Sequence, residues 1–233
     1  PDDVIPAKPV RQFLLHWKHI TETVASHPEK PLSLAIVGGG AGGVELALNM
    51  QHRIQKILRN AGQPIDHLTL HLIHRDAELL PQHNRWVRQH FHQLLTQRGI
   101  QLHLNEAVNE VQSHRLIGRS GLRMECDYIF WVTQAAAPDW LSKAGLDTDE
   151  DGFVLVDDML RSSSHPQVFA SGDVATMINH PRPKAGVFAV RQGKPLFHNL
   201  RRALQGKPLK PFHPQKQYLS LIGTADGAAV ASR

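Results

Sequence analysis

The sequence holds a single cysteine, Cys126, among 233 residues. An internal disulfide framework is therefore excluded, and the chain fits a reducing cytoplasm. Cys126 lies in RMECDYIFWV, a strand-like stretch where a lone thiol is expected as a small core hydrophobe rather than a redox group. Long apolar runs are missing too. None approaches the length needed to cross a bilayer, so any membrane contact is expected to be peripheral, on the cytoplasmic side. The opening residues PDDVIPAKPV carry neither a basic n-region nor an apolar h-region, and no secretory signal is expected. They begin on Pro1 rather than Met, and the chain reads as a piece of something longer.

Acid is absent from one region. Between Arg182 and Lys216 there are nine Lys or Arg and no Asp or Glu, within a chain of formal net charge +5. Such a stretch is a solvated face, a surface for an acidic partner, or an attraction to phosphates or an anionic membrane. Nucleic acid is not expected, because no reading helix, zinc knuckle or aromatic RNA-binding strand accompanies the charge. Histidine is plentiful, at 16 residues. The close pairs His16/His19, His67/His71 and His90/His92 have no carboxylate or cysteine at ligand spacing, and no metal site is expected from them.

What is present is a run of alternating elements. RQFLLHWKHITETVA places Phe13, Leu14, Trp17, Ile20 and Val24 on one helical stripe. LSLAIV is nearly all apolar, as in a parallel strand covered on both faces. A helix follows with Val44, Ala47, Met50, Ile54 and Ile57 on one side, then the strand LTLHLIH, and then the helix RWVRQHFHQLLTQ, which stops at Gly99. Short strands are expected around IQLHL, AVNEV and LRMEC, before the apolar run YIFWV. Strand, loop, helix and strand in this order predict a parallel α/β sheet. After PDWLSKAGLDTDEDG the pattern resets, with strands expected in GFVLVDD and QVFASGD and a helix from about Gly186 to Leu204. The tail QYLSLIGTADGAAVAS predicts two strands joined at Asp226-Gly227, a favoured hairpin pair.

The chemistry begins at AIVGGGAGGVEL, residues Gly38, Gly39, Gly40, Ala41, Gly42 and Gly43. Gly38, Gly40 and Gly43 satisfy G-x-G-x-x-G with a buried strand before and an amphipathic helix after, the context that makes this motif a dinucleotide site. Gly38 permits the tight turn, Gly40 lets the backbone approach a pyrophosphate, and Gly43 lets helix and strand pack closely. The helix N-terminus then offers unpaired N–H groups and partial positive charge to the phosphates. NAD sites usually have an acid at the end of the second strand, bonded to the ribose 2′-hydroxyl. Here His74 and Arg75 stand there. They could pair with a 2′-phosphate, which favours NADPH over NADH, although Asp76 is adjacent and both could be plain loop residues.

With these motifs in view, the chain resembles the pyridine nucleotide–disulfide oxidoreductase superfamily, in its NADH-dehydrogenase-like branch. The likeness rests on AIVGGGAGGVELAL, IHRDAELLP, CDYIFWVTQAAAPDWL, SSSHPQVFASGDVA and AGVFAVRQGKPLFHNL. AGGVELALNMQHR, VTQAAAPDWL and HPQKQYLSLIGTADGAAVAS also resemble the flavoprotein module fused to selenide, water dikinase. The resemblance implies a Rossmann-like NAD(P)H-binding domain (32–135) inserted in an incomplete FAD-binding domain. The segment 1–31 is then a linker or FAD-domain piece, 136–208 the C-terminal half of the FAD domain, and 209–233 the start of a further, truncated domain.

By the same resemblance, Gly172 and Asp173 sit at the FAD ribityl chain, and Gly186, Val187 and Phe188 start the helix whose backbone faces the flavin ring. Glu45 stands near where nicotinamide meets flavin, or is simply an acid favouring the helix dipole. Gln134 takes a place near the nicotinamide where many relatives have glycine. The implied parent is an FAD-dependent NAD(P)H oxidoreductase passing hydride from nicotinamide to flavin and electrons to an acceptor such as a quinone, with a homodimer allowed. The chain alone is expected to be inactive. The C-x-x-C of thioredoxin-reductase-like members is absent. Two other readings stay open: a non-catalytic NAD(P)-sensing module of a fused or partner enzyme, and a sulfide- or disulfide-handling flavoenzyme.

Overall fold

The computed structural model describes residues 4–133 and 137–232. They fall into two compact units: one runs up to Thr133 and resumes at Leu219, and the other lies between, ending at Tyr218.

In the first unit β1 (Val4–Pro6) leads to α1 (Val10–Ser26), β2 (Leu32–Val37), α2 (Ala41–Asn60), β3 (Leu68–Ile73), α3 (Arg85–Gln97) and β4 (Gln101–His103). A three-stranded antiparallel sheet of β5 (Val108–Gln112), β6 (Arg115–Gly118) and β7 (Arg123–Glu125) follows, and then β8 (Tyr128–Trp131). The main sheet has the order β1-β8-β2-β3-β4, parallel throughout. The chain runs outward from β2 through β3 to β4, and β8 returns to pair on the other side of β2, so the strand order reverses beside β2. In such open sheets ligands bind where that reversal occurs, outside the carboxyl ends of the strands.

Periodicity explains the helices. α2 buries Val44, Ala47, Met50 and Ile54 on the stripe expected of it, and α3 buries Val87, Phe91 and Leu95. The Asn84 side chain caps α3 by accepting the Val87 N–H at 3.0 Å. These side chains join Leu34, Ile36, Leu72 and Phe130 in one core. On α1 only Ile20 and Val24 of the expected stripe are buried, while Leu14 is exposed. Cys126 is buried beside Ala35 and Ile129, and burial pushes its thiol pKa up, as befits a core residue.

Two further segments pack in the first unit, the first of them residues 4–31. β1 adds an edge strand to β8, because Val4, Ile5 and Pro6 pair with Ile129, Phe130 and Trp131, and α1 packs on α2. The tail also packs in this unit. Its strands β11 (Ser220–Gly223) and β12 (Ala229–Ser232) pair antiparallel and put Ile222 into the core of the first unit. The hairpin connection spans 224–228, longer than a two-residue turn, with positive φ at Ala225 and Gly227. Asp226 closes it by accepting Thr224 Oγ1 at 2.5 Å and the Ala228 N–H at 3.1 Å.

The second unit contains α4 (Trp140–Lys143), β9 (Val154–Val156), β10 (Ala175–Met177) and α5 (Gly186–Leu204). β9 and β10 pair in parallel, and Leu141, Val154, Val156, Leu160 and Met177 make its core. QVFASGD is not a strand up to its aspartate. Phe169 makes only an isolated bridge to Arg161, and the strand begins after a single turn of 3-10 helix at Gly172–Val174. The reason is local: Gly172 has φ of +73°, which ends the extended chain there.

Candidate functional site: the glycine loop and the Asp173 cleft

The sheet's central strand β2 delivers the glycine loop directly to the start of α2. The glycines answer to different constraints. Gly38 has φ of +126°, and a Cβ there would sit 2.5 Å from the Val132 carbonyl oxygen. A Cβ on Gly39 would run into Leu79 and His74, and one on Gly43 into the Gly38 carbonyl oxygen. A Cβ on Gly42 would make only ordinary contact, 3.7 Å from Val132. Gly40 is unlike all of these. A Cβ there would meet nothing within 4 Å, and its φ of −74° suits any residue. The fold does not require glycine at position 40.

Gly40 is also the N-cap of α2, and no side chain caps this helix. Its first turn holds no acid. The opening amide groups around Ala41 and Gly42 therefore keep their partial positive charge for a partner outside the helix. Open space over Gly40 and uncapped amides together suit an approaching anion such as a pyrophosphate.

The loop is pinned from the neighbouring strand. His74, just past β3, turns inward and accepts the Gly39 N–H on Nδ1 at 3.2 Å. That bond puts the ring proton on Nε2, which is buried without a hydrogen bond of its own and lies 3.4 Å from Asp76 Oδ2. Burial holds the His74 pKa below its ordinary value; Asp76 opposes this and Arg75 adds to it. The Leu80 N–H donates to the Gly39 carbonyl at 2.9 Å and fastens the far side of the loop. His74 and Arg75 thus do not act alike. The imidazole bonds the glycine loop through Nδ1, while the Arg75 side chain is 67% exposed, with Nε 3.8 Å from Asp76.

Glu45 is engaged with its own chain. Its Oε1 accepts the Gly223 N–H at 2.7 Å, so it anchors the terminal hairpin to α2. Arg98 anchors the same hairpin from the end of α3, donating to the Thr224 carbonyl at 2.7 Å and to Asp226 Oδ2 at 3.0 Å. Arg98 was not singled out by its sequence; nothing marks an arginine whose partners lie at the other end of the chain. Gln134 lies outside the described residues.

In the second unit, Gly172, Asp173, Lys184, Phe188 and Gln192 line one cleft. Gln192 from α5 accepts the Gly172 N–H at 2.6 Å and fixes the turn that presents Asp173. α5 begins at Gly186 and Val187 with neither a capping side chain nor an acid in its first turn, and Phe188 is buried edge-on against Tyr218. Lys184, unforeseen from the sequence, donates to the Ala175 carbonyl at 2.7 Å and to Thr176 Oγ1 at 2.8 Å. Its ammonium lies 3.9 Å from the centre of the Phe153 ring. Burial lowers the Lys184 pKa, and the carboxylates of Asp149, Asp173 and Asp151 partly restore it. The cleft therefore couples an anchored cation to Asp173.

The family described as pyridine nucleotide-disulphide oxidoreductase matches residues 11–193. A type II NADH:quinone oxidoreductase of Haemophilus influenzae is 28% identical over 193 residues, covering 79% of this chain and 43% of that protein. Ferroptosis suppressor protein 1 of Xenopus tropicalis is 27% identical over 226 residues, covering 89% of this chain and 56% of that protein. The chain thus spans about half the length of these curated relatives. Among solved structures, a reduced CoADR-RHD of Bacillus anthracis superposes with a TM-score of 0.67 at 16% identity, covering 95% of this chain and 37% of the other. A ferredoxin reductase from Rhodopseudomonas palustris gives 0.66 at 17% identity, covering 89% of this chain and 48% of the other.

Proposed function

The chain belongs to the pyridine nucleotide-disulphide oxidoreductase family, and on that premise we propose that it supplies the NAD(P)H-binding half and part of the FAD-binding half of a flavoprotein oxidoreductase. The observation that carries the reading is Gly40: a glycine unneeded by the fold, at the uncapped start of α2. It is explained if a pyrophosphate packs against the backbone there. The amides around Ala41 and Gly42 would hold that pyrophosphate, and Arg75 would meet the adenosine ribose, favouring NADPH. Gly172 and Asp173 would hold the ribityl chain of FAD, and the backbone at Gly186, Val187 and Phe188 would face its ring. When bound, nicotinamide and flavin supply the hydride donor and acceptor; the residues supply placement and charge.

The relatives named for NADH and quinone support a quinone as acceptor. Peripheral membrane contact fits the basic stretch around α5. There Lys194, His198, Arg201, Arg202, Lys207 and Lys210 line one groove, and the helix also exposes Val190, Phe197 and Leu204. Among the described residues no helix is long and apolar enough to cross a membrane.

The test uses the full-length protein. It should purify yellow and bleach on adding NADPH faster than on adding NADH. Nucleotide binding with no bleaching, after FAD supplementation, would instead support a sensing module. Co-sedimentation with vesicles should rise with anionic lipid content, and indifference to lipid charge removes the membrane part. Sedimentation velocity reads the remaining expectation, a homodimer.

A further inference from the structure

The pairing of β9 with β10 has a consequence beyond the Asp173 cleft. In their parallel register Val156 stands opposite Met177, so the segments leaving these two strands emerge at the same carboxyl edge. Asp158 follows β9 there and His180 follows β10. A third residue, His213, is brought in by the connection after α5. The Phe212 N–H donates to the Asp158 carbonyl at 2.7 Å, and the Phe212 side chain packs on the core of this unit.

The three side chains converge. His213 Nδ1 lies 3.2 Å from His180 Nε2, and that same nitrogen lies 3.8 Å from Asp158 Oδ1. The two rings stand nearly perpendicular, at 86°. One N–H···N hydrogen bond accounts for the two rings. It does not account for a carboxylate that faces the same nitrogen from beyond hydrogen-bond range. A cation does, because donor atoms about 2.0–2.2 Å from a tetrahedral ion lie roughly 3.4 Å from each other.

The surroundings suit this use. Both histidines precede proline, Pro181 and Pro214, which restricts their backbone before any ligand arrives. Asn179 Nδ2 donates to Asp158 Oδ1 at 3.3 Å and orients the carboxylate. The Asp158 and His180 side chains are part-buried, 24% and 32% exposed, while His213 is exposed and keeps the site open to solvent. His180 also borders the Asp173 cleft.

We propose that Asp158, His180 and His213 form a three-ligand site for a late first-row divalent cation of the zinc class, with the remaining coordination left to water. Two imidazoles and one carboxylate favour such an ion over calcium or magnesium, which take oxygen ligands. The close histidine pairs that the sequence offers have no part in it; these ligands meet only through strand register.

The experiment titrates the metal-stripped chain with Zn²⁺ against a chromophoric chelator, with Co²⁺ as a spectroscopic probe. One Zn²⁺ should bind per chain, and Co²⁺ should give the visible bands of a low-coordinate site. His213→Gln and Asp158→Asn should each weaken Zn²⁺ by roughly tenfold or more. His92→Gln, on the exposed face of α3, should leave the affinity unchanged. Circular dichroism checks that the variants remain folded. Zn²⁺ uptake equal to wild type in His213→Gln and Asp158→Asn, equal losses in His92→Gln, or no uptake by the wild-type chain would each overturn the proposal.

Discussion

Gly40 and Gly43 belong to one loop yet are glycine for different reasons, and substitution should separate them. Gly40→Ser, which keeps a favoured N-cap residue, should leave the melting temperature nearly unchanged but cost at least about tenfold in NADPH affinity, the worth of one or two charge-assisted hydrogen bonds. Gly43→Val, which drives a side chain into the Gly38 carbonyl, should lower the melting temperature before any nucleotide is added. Calorimetric titration beside a thermal melt reads both. The same pairing of measurements distinguishes His74 from Arg75. His74→Ala removes the acceptor for Gly39 N–H and should weaken NADH and NADPH alike, whereas Arg75→Ala should weaken NADPH alone. Equal losses for both nucleotides in Arg75→Ala would remove the 2′-phosphate role. The motif positions were readable at this scale because glycine spacing reports backbone geometry. The inward turn of His74 was not, since a histidine at a strand end looks the same whether it faces the ligand or the loop.

At the scale of elements, helices with a clear apolar stripe came through from the sequence. α2 and α3 lie where periodicity places them, α5 spans the expected Gly186–Leu204, and β2 and β8 are the apolar runs expected as strands. Elements whose pairing is decided by remote residues did not. β10 follows Asp173 because a glycine breaks the strand before it, and the terminal hairpin finds its place through Glu45 and Arg98, which no local pattern announces. The Asp158, His180 and His213 cluster was hidden for the same reason. For the hairpin the consequence is measurable. Glu45→Ala and Arg98→Ala should each loosen it by about 1–2 kcal/mol, seen as faster proteolysis within 219–232 while α2 and α3 stay protected. Glu45→Gln retains an acceptor oxygen and should behave nearly as wild type. A Glu45→Ala chain cut no faster than wild type would leave Glu45 without its anchoring role.

For the molecule as a whole, acid sensitivity is written into the edge of the main sheet. His71 on β3 is buried with Nδ1 3.1 Å from Nε2 of His103 on β4. Burial first, and the neighbouring His103 second, bring the His71 pKa down from 6.5 to about 4. Burial also lowers His103, with Glu106 opposing. The unfolded chain therefore takes up protons that the folded chain refuses. Stability from this source is whole above pH 6.5, declines as the pH falls, and is lost by about pH 4. Urea denaturation across that interval should show the decline, and His71→Leu should flatten it; an unchanged slope in the variant would contradict the assignment. Cys126 contributes nothing to such behaviour, because its thiol is buried and its pKa is raised.

The first unit is broken in sequence: it pauses at Thr133 and is completed only from Leu219 onward. A growing chain leaving the ribosome therefore has every residue of the second unit in hand before the last piece of the first exists. Until then the core around Ile222 has an open side, and α2 and α3 offer Glu45 and Arg98 to partners not yet synthesised. Residues 219–232 act as a late clasp, so the first unit closes only after every residue of the second has been made.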